Sequence, residues 1–161
     1  MDMFPNAGTV DVLGADSSNI KRRDIAMIRQ KIGMVFQDFH LLSDRDIYSN
    51  IALPLEIQGA KADEVRSKVT SKADELGIRS RLSHYPHELS AGEQQRVALA
   101  RAIVNSPDIL LADEPIAHLD AKAAADVVRY IWKIHDAGTS VVFATHNETL
   151  LKKDPARTMT L

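Results

Sequence analysis

Apolar positions along this chain change their period repeatedly, and each change marks a predicted element. Thr9–Leu13 alternates, with Val10 and Val12 on one side and Gly14 following, which predicts a strand. Arg22–Gln30 sets Ile25 and Ile28 three apart and predicts a helix. Ile32–Phe36 is a short apolar run, read as a strand that leaves Gln37 at its carboxyl end. Asp46–Ile57 carries Ile47, Ile51 and Leu55 at helical spacing, with Pro54 expected to kink or break that helix. Lys61–Leu76 repeats the pattern through Val65, Val69, Ala73 and Leu76, and Gly77 is a natural stop. Gln95–Asn105 turns Val97, Ala100, Ile103 and Val104 inward before Ser106-Pro107. Ile109–Ala112 and Ser140–Ala144 read as buried-type strands, and between them Ala121–Ala137 is a helix striped by Val127, Ile131 and Ile134. Met1–Phe4 reads as the tail of a helix, stopped by Pro5-Asn6-Ala7-Gly8. Strands alternating with helices predict an α/β fold: a mostly parallel sheet with helices on both faces. The stretch 46–88 is helical throughout and predicts an all-helical subdomain, leaving 1–45 and 89–161 as the α/β core.

Composition narrows the classes. The 161 residues suffice for one domain with a real core, and 45% hydrophobic with 26% charged residues is a globular balance. A formal net charge of −2 gives no reason to expect a nucleic-acid partner. With no cysteine, neither a disulfide framework nor a thiolate metal site is possible. The start, Met1-Asp2-Met3-Phe4-Pro5, lacks the basic region and apolar run of a signal peptide. No apolar run approaches the ~20 residues of a spanning helix, so membrane association is expected to go through a partner.

The candidate chemistry is concentrated between Leu89 and Pro115. Ser90 followed three residues later by Glu93 is a capping box, in which each side chain satisfies a backbone donor of the other residue. Ala91 and Gly92 keep bulk away from that helix start, and uncovered N–H groups with a positive dipole end suit a phosphate. The run Ile109–Ala112 then delivers Asp113 and Glu114 at the carboxyl end of a strand, where open parallel sheets bind ligands. Asp113 suits a hard cation such as Mg²⁺, and Glu114 suits a water that must be oriented or deprotonated. Taken alone, Gln37 reads as a loop amide, His146 as a structural histidine, Arg96 and Arg101 as surface charges, and Trp132 as packing.

Leu89-Ser90-Ala91-Gly92-Glu93-Gln94-Gln95-Arg96 resembles the signature motif of ATP-binding-cassette (ABC) ATPases, and Ile109–Glu114 resembles their Walker B strand with its catalytic glutamate. Gln37 is similar to their Q-loop glutamine, Leu119-Asp120 to the D-loop, and Thr145-His146 to the switch histidine. Val35-Phe36-Gln37-Asp38-Phe39 and Ala112-Asp113-Glu114-Pro115 look most like the FtsE-type cell-division subfamily, with lipoprotein-release and macrolide-export ATPases as near relatives. The resemblance implies a P-loop NTPase core binding ATP and Mg²⁺ between two head-to-tail copies. In it, Ser90, Ala91, Gly92 and Glu93 of one copy face the nucleotide of the other. Asp113 and Gln37 lie at the metal, Glu114 polarises the attacking water, His146 bonds the γ-phosphate, and Asp120 couples the two sites. It further implies an integral membrane partner, an FtsX-like permease, at the cytoplasmic face of the inner membrane, received in relatives by the helical subdomain.

One component of that pattern is not in the sequence. No Gly-x-x-x-x-Gly-Lys-Ser/Thr occurs in the 161 residues, and no aromatic stands upstream to stack on adenine. The chain is therefore expected to be an N-terminally truncated ABC ATPase domain, Met1–Phe4 resembling the end of the helix after the loop. A sheet edge beside the Walker B strand is expected to stand open. Two further departures are Ala91, where the family usually has glycine, and Ile116-Ala117-His118, where it usually has Thr-Gly-Asn. His118 reads as a loop histidine or an extra interface hydrogen bonder. An inactive interaction module and an exporter ATPase remain as alternatives to the cell-division ATPase.

Overall fold

Leu13 and Gly14 both take positive φ, 55° and 79°, and this bends the first predicted strand back on itself. β1 (Asp11–Val12) and β2 (Ala15–Asp16) form an antiparallel hairpin around that two-residue turn, the geometry of a type I′ connection. The Gly14 N–H donates to Asp11 Oδ1 at 3.0 Å. The strand expected over Thr9–Leu13 is therefore reduced to two residues. This computed structural model describes residues 8–16 and 18–146; the expected helix tail at Met1–Phe4 lies outside them.

α1 (Arg22–Gln30) leads into β3 (Ile32–Val35), then α2 (Ile47–Ile57) and α3 (Ala62–Glu75). Single 3₁₀ turns at Arg79–Arg81 and Pro86–Glu88 precede α4 (Ala91–Ile103). β4 (Ile109–Asp113), α5 (Ala121–Asp136) and β5 (Ser140–Ala144) complete the order. α2 runs through Pro54 without a break. The proline withholds one N–H from the Asn50 carbonyl and costs about 3 kcal/mol in a helix interior. The buried stripe of Ile47, Ile51, Ala52 and Leu55 holds the helix together across it.

The three longer strands pair in parallel in the order β3-β4-β5, with Ile32 opposite Ile109 and Ile109 opposite Ser140. β4 is thus central and paired on both sides. The unpaired edge expected beside this strand lies elsewhere: among the described residues the outer edges belong to β3 and β5. On one face of the sheet Val35, Leu110 and Ala112 are buried, with Val141 and Phe143 packed against them. α4 and α5 cover this face. α4 approaches so closely that a Cβ on Gly33 would stand 2.3 Å from the Ala102 carbonyl oxygen, so only glycine fits there. α1 packs against β3. On the opposite face Met34 and Val142 are 46% and 55% exposed among the described residues.

α2 and α3 lie against α4, and the apolar stripes read from the sequence meet here. Val65, Val69, Ala73 and Leu76 of the second helical pattern are buried with Val97, Leu99, Ala100, Ile103 and Val104 in one cluster that continues into the sheet. Asn50 is fully buried among them. Its Nδ2 donates to the carbonyls of Leu42, Arg45 and Asp46 at 3.0, 3.2 and 2.9 Å, and its Oδ1 accepts the Leu42 N–H at 2.8 Å. One side chain thereby ties the 42–46 turn to the start of α2.

Candidate functional site

Parallel pairing brings the carboxyl ends of β3, β4 and β5 to one edge of the sheet. Val35 lies opposite Ala112 and Asp113 opposite Ala144, so Gln37, Asp113, Glu114 and Thr145 follow at the same end. Glu114 leaves the strand with φ of 42°, a left-handed conformation that costs a residue with a Cβ about 1–2 kcal/mol. Its N–H donates to the Ala144 carbonyl at 2.9 Å, and its side chain is 12% exposed. Thr145 Oγ1 donates to Glu114 Oε2 at 3.2 Å, and the His146 N–H donates to Oε1 at 2.8 Å. His146 Nδ1 lies 2.5 Å from the same Oε1.

That short contact requires a proton on Nδ1, because a carboxylate oxygen only accepts. The imidazole is therefore oriented with Nε2 pointing away from Glu114, and the ring is 85% exposed. The outcome is a carboxylate fixed by three donors and an imidazole edge presented outward. Backbone strain concentrated at such a point is a common property of functional sites.

Asp113 is the last residue of β4 and is exposed. Among the described residues no group of three or more His, Asp or Glu side chains forms a metal cage. Mg²⁺ does not require one: it keeps several waters and takes one or two carboxylates beside its phosphates. Asp113 fits that mode. Gln37 is exposed, and its Nε2 stands 3.5 Å from Nε2 of His118. The same His118 nitrogen is 3.8 Å from Asp38 Oδ1. His118 is thus half-exposed, as the sequence suggests for a loop histidine, yet it reaches the residue read as the Q-loop glutamine.

The second group of candidates lies at two helix starts. The capping box read from the sequence is present: the Glu93 N–H donates to Ser90 Oγ at 3.3 Å, and Ser90 N–H donates to Glu93 Oε2 at 3.0 Å. Ser90 Oγ also donates to Oε2 at 2.9 Å. Arg81 Nε donates to Glu93 Oε1 at 2.8 Å. The Arg81 bond first, and the Ser90 N–H second, hold the Glu93 carboxyl well below its usual range, down to about 2. Ala91 is the first helical residue and does not take positive φ, so its methyl group brings no backbone strain. A Cβ on Gly92 would stand 2.9 Å from the Ala123 Cβ, so this glycine lets the start of α4 touch the start of α5. Asp120 caps α5, its Oδ1 accepting the Ala123 N–H at 2.9 Å.

The fold therefore brings Glu114 to His146, sets Gln37 and Asp113 at the same sheet end, and places Ser90–Glu93 beside the cap of α5 through Gly92. Four features escape a reading of the sequence: Arg81 on Glu93, His118 on Gln37, the positive φ of Glu114, and the seating of Arg101. The last corrects the surface reading of that residue. Arg101 Nη1 donates to the His40 carbonyl at 2.7 Å and Nη2 to the Phe39 carbonyl at 2.9 Å, and burial pulls its guanidinium below its ordinary value.

Residues 2–117 match the family model described as ABC transporter. The chain is 41% identical over 157 residues to the cell division ATP-binding protein FtsE of Escherichia coli K12, covering 98% of this chain and 71% of that protein. It is 38% identical over 147 residues to FtsE of Bacillus subtilis 168, covering 91% of this chain and 64% of the relative. Among solved structures, the post-hydrolysis dimer of the ATP-binding cassette MJ0796 bound to ADP and Pi superposes with a TM-score of 0.81 at 31% identity. That match covers 92% of this chain and 66% of the other, so the chain spans about two-thirds of the length of these proteins.

Proposed function

The chain belongs to the ABC transporter family, and from that premise we propose that it acts as the ATP-binding and ATP-hydrolysing part of a membrane complex of the FtsE kind. In this reading residues 46–88 are its helical subdomain, and the described residues on either side of them belong to its α/β core. Two copies pair head to tail with ATP between them. The carrying observation is the Glu114–His146 pair at the carboxyl end of β4, with the acid fixed by three donors and the imidazole turned outward.

In this reading Mg²⁺ supplies charge neutralisation at the phosphates, with Asp113 as its carboxylate and Gln37 at its water shell. Glu114 polarises the attacking water. His146 offers its outward edge to the γ-phosphate. Ser90, Ala91, Gly92 and Glu93 form the helix start that meets the partner copy's nucleotide, and Asp120 sits where the two copies touch. Positioning and charge stabilisation carry most of phosphoryl transfer, and the described groups are of that kind. Among the described residues no helix is long and apolar enough to cross a membrane. The likeness to FtsE favours an integral partner of the FtsX-like permease type as the anchor, with this chain peripheral at the inner membrane's cytoplasmic face. The names of the relatives favour cell division over export.

The alternative reading is an interaction subunit that offers its signature helix without turning over ATP. Calorimetric titration with Mg-ATP, together with phosphate release by the wild type and by Glu114→Gln, separates the two. Saturable binding with release abolished by the substitution supports the ATPase. Absence of binding and of release overturns it and leaves the interaction subunit.

A further inference from the structure

The loop that carries Gln37 is held in a conformation its own residues disfavour. Phe36 O accepts the Phe39 N–H at 3.2 Å, which makes Gln37 and Asp38 the central pair of a turn. Phe39 and His40 follow with φ of 59° and 46°. Two consecutive non-glycine residues in the left-handed region cost about 1–2 kcal/mol each. The Phe36 and His40 rings stack at 4.7 Å across this turn, and His40 N–H reaches the Asp38 carbonyl at 2.6 Å. Local contacts alone do not select this shape, since glycine would serve it at less cost.

The selecting contact comes from another element. The two terminal nitrogens of Arg101, in the last turn of α4, grip the carbonyls of Phe39 and His40, the two strained residues. A guanidinium presents donors in a fixed planar fork, so binding neighbouring carbonyls together fixes their relative orientation. The same helix begins at the Ser90 capping box, about 16 Å along its axis from Arg101.

We propose that Arg101 is a positioning residue that locks the Gln37 turn in its left-handed form and ties it rigidly to the helix that starts at Ser90. A movement of α4 is thereby passed to Gln37 through two hydrogen bonds. The grip on the loop stands on geometry alone; its consequence for turnover rests on the ATPase reading above.

The test is amide hydrogen exchange of the wild type, Arg101→Gln, Arg101→Lys and Arg101→Gln/Phe39→Gly, read at residues 38–42 and at the α4 core amides of Leu99 and Ala100. Loss of both bonds is expected to speed exchange at 38–42 by about tenfold or more, with the α4 core little changed. Lysine, a single point donor, is expected to restore less than half of that protection. Glycine at Phe39 removes the strain and is expected to slow exchange again in the Arg101→Gln background. Unchanged exchange at 38–42 in Arg101→Gln, full protection with lysine, or no effect of glycine overturns the proposal. If Arg101→Gln does not fold, the lysine variant and Phe39→Gly alone decide it by the same readout. Should the loop respond while the wild type releases no phosphate, the positioning role stands and the ATPase reading falls.

Discussion

Oε1 of Glu114 accepts from both the backbone N–H and the Nδ1 of His146, at 2.8 and 2.5 Å, so the two residues form one rigid unit. In the assembled membrane complex, Glu114→Gln is expected to lower steady-state phosphate release by about 10²–10⁴-fold. His146→Ala is expected to lower it too, and the double variant to be no worse than the poorer single one, because both act through the same geometry. Additive losses in that cycle would refute the coupling.

Gly92 separates α4 from α5 by the width of a missing methyl group. Gly92→Ala is expected to destabilise by about 1–3 kcal/mol through overpacking on Ala123, measured as a lower urea midpoint at unchanged slope. Ala123→Gly in the same chain should recover part of the loss. A Gly92→Ala protein with the wild-type midpoint would contradict the close contact.

Asn50 and Gln95 are both buried polar side chains, with opposite expected behaviour. The Asn50 side chain makes four hydrogen bonds to backbone groups of the 42–46 turn. Asn50→Leu removes the side-chain partner of the Leu42 N–H and the Arg45 carbonyl, while the Leu42 and Asp46 carbonyls keep the Arg45 and Asn50 N–H groups, and is expected to cost about 2–4 kcal/mol. Gln95 is 1% exposed, and neither its Nε2 nor its Oε1 has a partner among the described residues. Gln95→Met is expected to be neutral or to stabilise by about 1 kcal/mol. Chemical denaturation of both variants checks the pair; equal losses would show that the Gln95 amide is satisfied after all.

Glu93 gives the acid limb of the stability curve a specific contributor. Its folded value, about 2, lies below the unfolded value of 4.5, so the unfolded chain takes up the proton first. The stabilisation is fully present above about pH 4.5 and is lost as pH falls toward 2. Solvent screening at the half-exposed Arg81 reduces it to about 1 kcal/mol. Thermal midpoints between pH 6 and 3 should fall less steeply in Glu93→Gln than in the wild type; parallel curves would refute the assignment.

Periodic signals carried most of the fold. Ile47, Ile51 and Leu55, or Val127, Ile131 and Ile134, are buried as their spacing requires, because a helix face is set within a few residues of sequence. The capping box at Ser90 and the strand-end acids at 113 and 114 are equally local. Strand order was not legible: nothing near Ile109 says that both Ile32 and Ser140 will pair with it. Nor were the long-range grips of Arg81 and Arg101, since an arginine that meets a carboxylate or carbonyl elsewhere leaves no periodic trace. Pro54 does not break α2 for a related reason, its local penalty being outweighed by buried side chains on either side of it.

The central place of β4 also has a consequence for the order in which the chain assembles. Pairing β4 with β5 closes a loop holding α5 alone, whereas pairing it with β3 encloses α2, α3 and α4. Loop-closure entropy rises with length, so the β4–α5–β5 unit, with Asp113, Glu114 and His146, is expected to form first and Gln37 to arrive with the later ladder. Mutations in β5 should therefore slow refolding while those in β3 mainly hasten unfolding, making the acid–imidazole pair a folding landmark as well as a chemical one.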